Sequence, residues 1–122
     1  MNRDLKMRLA CPLYVLLVVS VSLFPSRGLS FWHLDKIGHF LAYSGMAILA
    51  FLTFNNTTAR LSALVFAIGL GAVLEWGQSW VPGRDMSLVD GIANTLGVLS
   101  GVLLFRFRGR ALAEWLKSYV GE

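Results

Sequence analysis

The chain has 122 residues, of which 56% are hydrophobic and only 15% charged. A soluble fold of this size buries only about two-thirds of its surface and must coat the rest in polar groups; this chain is short of them, and its mean hydropathy of +0.62 excludes disorder, which needs an apolar-poor sequence. What remains is an integral membrane protein of one small domain, 1–122. The net charge of +4 marks a cytoplasmic face, and no nucleic-acid partner is expected.

The first apolar run covers 9–24, behind Arg3, Lys6 and Arg8, and stops at Pro25. Its flanks are those of a signal peptide, but no small-x-small cleavage pattern follows, so a retained span is expected. It holds Cys11, the single cysteine, which excludes an internal disulfide and a cysteine-based zinc site. A loop at 25–35 follows, where Phe31, Trp32 and His33 suit an interfacial belt. The second run covers 37–54 and ends before Asn55, Asn56, Thr57 and Thr58. The third covers 61–80 and is interrupted by Glu75 and Gln78, with Trp76 and Trp80 as further belt residues. The loop 81–87 opens on the turn signal Pro82-Gly83. Ser87 is placed to cap the next helix, with Asp90 three residues on, loosely as in a capping box. The fourth run covers 88–105 and carries Asp90 and Asn94. In the tail 106–122, Leu112, Trp115, Leu116 and Tyr119 fall on one helical face and predict a short amphipathic surface helix.

These lengths suit helices rather than barrel strands, and the short connections predict an antiparallel, up-down-up-down bundle of four transmembrane helices. Gly97 and Gly101 allow close helix approach, within the bundle or in a homo-oligomer. Gly69 and Gly71 offer the same in the third span. Lysines and arginines set the orientation. Arg3, Lys6, Arg8, Arg60, Arg106, Arg108, Arg110 and Lys117 fall on one face, against Arg27, Lys36 and Arg84 on the other. Both termini are therefore expected in the cytoplasm, with 25–35 and 81–87 outside.

Ionisable residues within spans are costly and point to function. At about 1.5 Å of rise per residue, His39, Glu75 and Asp90 each lie about 21–22 Å above the inner end of their helix. Three helices thus carry an ionisable group at one level, roughly 8 Å below the outer surface of a 30 Å core. Asp35, His39 and Tyr43 share one helix face, as do Glu75 and Gln78, and Asp90, Asn94 and Gly97. Lipid exposure forces these faces inward, so they should converge beneath the 81–87 loop.

The pattern Asp35-Lys36-x-x-His39-Phe40-x-x-Tyr43, followed by Glu75-x-x-Gln78, Pro82-Gly83-Arg84, Ser87, Asp90, Asn94 and Gly97, resembles the VanZ-like family of bacterial membrane proteins. The resemblance covers roughly 9–105. It implies a multi-pass protein of the bacterial inner membrane, linked to the cell envelope. The founding member is associated with resistance to the glycopeptide teicoplanin. The resemblance does not supply a reaction.

Each residue has a functional and a structural reading. His39 suits a proton carrier, since imidazole changes charge near neutral pH; alternatively it pairs with Asp35 or Glu75. Glu75 is a candidate acid or base, or a partner of Arg84 or His39. Arg84 is a candidate anion clamp, with Lys36 beside it on the outer rim; otherwise it pins its loop through Asp85 or Glu75. Asp90 and Asn94 complete the site or serve as cap and interhelical bond. His39, Glu75 and Asp90 form a His-carboxylate set, but one histidine and no His-Glu-x-x-His pattern lead us to expect no metal or other cofactor.

The leading expectation is an outward-facing site that binds the head group of a lipid, a lipid-linked wall precursor or an envelope-targeting amphiphile. Its expected residues are Asp35, Lys36, His39, Tyr43, Glu75, Gln78, Arg84, Ser87, Asp90 and Asn94. One alternative is an intramembrane hydrolase or transferase using Glu75 and His39 as acid and base, although Ser44 and Ser87 lack a triad context. A proton or ion path is disfavoured by the apolar inner halves of the spans. A structural or assembly protein held together by its polar cluster is the third.

Overall fold

The computed structural model describes residues 2–25 and 32–120, less the side chains of Trp32, His33 and Val120. Arg27 and Phe31, and the side chains of Trp32 and His33, lie outside what is described. Four helices follow in order: α1 (Arg3–Ser22), α2 (Trp32–Thr53), α3 (Thr57–Gln78) and α4 (Leu88–Val120). Each contains a stretch long and apolar enough to cross a bilayer. Large apolar side chains such as Leu13, Leu16, Leu41, Val65, Phe66 and Leu103 are exposed on all four. In water such a surface would aggregate; in lipid it is solvated. The protein is an all-α, multi-pass membrane protein.

The helices begin where side chains satisfy their free N–H groups. Asn2 accepts from the Leu5 N–H at 2.9 Å, and Asn56 from the Ala59 N–H at 2.7 Å. Ser87 caps α4 as expected, its Oγ accepting from the Asp90 N–H at 3.3 Å. The elements exceed the apolar runs at several ends. α1 starts at Arg3, α2 takes in Asp35 and Lys36, and α3 starts at Thr57. The amphipathic tail is helical but is not a separate element. It continues α4 without a break to Val120, because only Gly109 interrupts the helix-forming residues there.

Cross-helix contacts fix the arrangement. Cys11 meets Thr53 at 3.2 Å, and the Tyr14 hydroxyl donates to the Ala42 carbonyl at 2.8 Å, so α1 and α2 run antiparallel. α2 and α4 run parallel and form the most extensive pair. Their seam is made by Gly97 and Gly101, where a Cβ would collide with the backbone oxygens of Phe40 and Ser44. The glycine pair is therefore used inside the chain, against α2. The core beside this seam holds Tyr43, Met46, Ala47, Ala67, Leu74 and Val98.

Candidate functional site

The polar residues gather at one end of the bundle, where the C-termini of α1 and α3 meet the N-termini of α2 and α4. Glu75, Gln78, Asp90 and Asn94 are all buried there. Lys36 Nζ lies 2.8 Å from Asp90 Oδ1, and both side chains are largely buried. An ion pair of this kind is held at its level by desolvation, since breaking it strands a charge in low dielectric. The sequence placed Lys36 on the outer rim; the helical N-terminus of α2 instead carries it over the cluster.

His39 sits at the centre. Its Nδ1 is 2.9 Å from Asn94 Oδ1 and 3.8 Å from Glu75 Oε1. Its Nε2 is 3.9 Å from Asp35 Oδ1 and 4.0 Å from Asp90 Oδ2. The hydrogen bond goes to Asn94, while the expected partners Asp35 and Glu75 stand one step further off. Glu75 Oε2 accepts from the Ser87 N–H at 3.1 Å. Glu75 thereby does for α4 what the acid of a capping box does for its own helix, while Asp90 is left to Lys36. Glu75 Oε1 and Asn94 Nδ2 have no hydrogen-bond partner among the described residues.

Arg84 reaches across the top of the bundle. Its Nε donates to the Phe24 carbonyl at 3.0 Å and its Nη2 to that of Val21 at 3.4 Å. Its Nη1 lies 3.7 Å from Asp35 Oδ1. Arginine cations are well suited to the carbonyl-rich end of a helix, so Arg84 fastens the 81–87 loop to α1. Among the described residues its partners are these carbonyls and Asp35, not the expected Asp85 or Glu75. Gln78 has a similar role, donating to the Ser22 carbonyl at 2.9 Å. Tyr43 is buried beside Gly71.

A cavity of about 270 Å³ opens between α1 and α2 below this end. Leu17, Val18 and Ala42 form its apolar wall, and Asp35, His39 and Arg84 its polar end. Sequence reasoning missed it, along with the Tyr14 hydroxyl that braces α1 on α2. The only signal available was the small residue Gly38, whose missing side chain leaves the cavity open.

A family model described as VanZ/LLP1 matches residues 17–109. The chain belongs to the VanZ/LLP1 family. The match takes in every residue of the cluster, from Asp35 on α2 to Asn94 on α4. No curated protein and no solved structure matches the chain. For this VanZ/LLP1 protein, the convergence of His39, Glu75, Asp90 and Asn94 expected from helix faces is realised. Asp35 is brought to the same imidazole from one turn away. Ser87 enters through its backbone N–H and its capping oxygen. Gln78 and Arg84 are committed to the backbone of α1, and Tyr43 lies in the wall between cluster and core.

Proposed function

We propose that this protein binds a lipid or envelope amphiphile, with the head group at the Asp35–His39–Arg84 end of the α1/α2 cavity and the tail against Leu17, Val18 and Ala42. The observation that carries the reading is the continuity of that cavity from apolar wall to polar end. Ligand pockets have this composition, a mostly apolar lining with few polar groups that fix orientation. We place the site in the outer leaflet of the bacterial inner membrane, with both termini cytoplasmic, on the distribution of lysine and arginine. Family membership supports a link to the envelope and to glycopeptide resistance.

Gly38 provides the test. It lines the cavity, and a Cβ there would meet nothing within 4 Å, so the Gly38→Leu side chain starts from open space and occupies the cavity. Purified full-length protein in detergent is titrated with teicoplanin, phosphatidylglycerol and a polyprenyl phosphate. Wild type is expected to bind at least one of them. Gly38→Leu is expected to weaken that binding tenfold or more with an unchanged melting temperature. Binding that Gly38→Leu leaves intact, or no binding to any of the three, overturns the reading.

A further inference from the structure

We infer that Asp35, His39 and Asp90 form a divalent-cation site, with the imidazole Nε2 and one oxygen from each carboxylate as ligands. One ligand atom from each of the three residues lies within 4.8 Å of the others. Three ligands that share an ion at about 2.1 Å stand about 3.4–3.6 Å from one another. Nε2 is 3.9 Å from Asp35 Oδ1 and 4.0 Å from Asp90 Oδ2, so each carboxylate must draw in on the ring by about half an ångström, and the two carboxylates on each other by about an ångström. Asp35, with its side chain 49% exposed, has room to move inward.

The second nitrogen decides which lone pair is offered. Nδ1 faces two acceptors, Asn94 Oδ1 and Glu75 Oε1, so the proton of the neutral ring belongs on Nδ1. Nε2 then presents a lone pair to two carboxylate oxygens, and three acceptors converge with no donor among them. A metal-binding histidine is oriented in this same way, by giving its other N–H to a carbonyl or carboxylate. An independent sign comes from α3. Glu75 is 5% exposed, and its Oε1, 3.8 Å from the imidazole Nδ1, has no hydrogen-bond partner among the described residues. A buried carboxylate oxygen turned on this imidazole asks for a positive charge in the cluster.

The fixed charges leave room for one. Three carboxylates, Asp35, Glu75 and Asp90, surround His39, against the two cations Lys36 and Arg84. Lys36 holds Asp90 through Oδ1, which leaves Oδ2 for the ion. Three protein ligands and an open side are the arrangement of a reactive rather than a structural metal site. The open side faces the α1/α2 cavity, which Asp35 and His39 both line. Imidazole with carboxylates suits zinc or manganese rather than a soft ion.

The test uses full-length protein in detergent, stripped with chelator and free of added lipid, so it is read separately from amphiphile binding. Equilibrium dialysis against Zn²⁺ and Mn²⁺ is expected to give one saturable site. Asp35→Asn, a change at a half-exposed side chain, is expected to weaken it tenfold or more. The ion should raise the melting temperature of wild type but not of Asp35→Asn. His39→Gln should lose binding likewise, whereas Glu114→Gln, on the distant end of α4, should not. Absence of saturable binding to wild type, or equal affinity in Asp35→Asn, overturns the inference.

Discussion

Glu75 and Asp90 are both buried acids, and the structure gives them different partners. Asp90 is neutralised by Lys36 at 2.8 Å; among the described residues Glu75 receives only the Ser87 N–H, at 3.1 Å on one oxygen. That difference separates the structural role of Glu75 from its charge. In Glu75→Gln the amide oxygen can still accept from Ser87, so the start of α4 is kept. In Glu75→Ala the N–H is left without a partner, at a cost of about 1–3 kcal/mol. We expect Glu75→Gln to accumulate in membranes at the wild-type level and Glu75→Ala to fall below it. Where wild type protects a deletion host against teicoplanin, as the proposed function expects, Glu75→Gln should lose that protection. Equal loss of abundance in both variants would make Glu75 a packing residue. Helical arithmetic on the sequence made legible which residues share a level. It did not reveal which atoms pair, because depth along a helix says nothing of its rotation about its axis. Hence Lys36 finding Asp90, and Arg84 finding carbonyls of α1, emerge only from the packed structure.

At the scale of the helices, hydropathy locates the part of each that lies in lipid, not its ends. A helix continues through polar residues until a cap or a breaker stops it, which is why α1 reaches Arg3 and α4 reaches Val120. The glycines show the same limit. Gly69, Gly71, Gly97 and Gly101 read alike in sequence, yet only the last two let backbones touch. At Gly97 and Gly101 an added Cβ collides with carbonyl oxygens of α2, at Gly71 it meets side-chain atoms of Tyr43 and Asn94, and at Gly69 it meets nothing. Gly101→Leu should therefore part α2 from α4 and nearly abolish the folded protein. Gly69→Ala should be neutral or stabilise by about 0.5–1 kcal/mol, the helix preference of alanine over glycine. Thermal melting in detergent distinguishes the two. A Gly101→Leu protein that melts like wild type would mean that the seam is not the main contact of the bundle.

For the molecule as a whole, the two ends of the bundle have opposite chemistry. One carries the buried acids, His39 and the cavity. At the other, Arg60 Nε donates to the Phe54 carbonyl at 2.7 Å, and its guanidinium lies 4.7 Å from the centre of the Phe51 ring. Arg60 thus closes the C-terminal end of α2 with a cation, and the extension of α4 adds Arg106, Arg108 and Arg110 on the same side. Basic residues resist translocation, so this end is expected in the cytoplasm. A fluorescent protein fused after Glu122 should glow, and alkaline phosphatase fused there should be inactive. Phosphatase fused after Val81, in the loop over the cluster, should be active. The reverse pattern would put the cavity mouth on the cytoplasmic leaflet, and an amphiphile arriving from the cell wall would then have no route to Asp35 and His39. Changing Arg106, Arg108 and Arg110 together to alanine should weaken the asymmetry and raise phosphatase activity of the C-terminal fusion. Five basic residues of that face remain; Lys117 alone follows the fourth span, and Arg3, Lys6, Arg8 and Arg60 all precede the third. Those four should hold the first two spans in place, so the mixed activity expected of the triple variant would come from α4 alone.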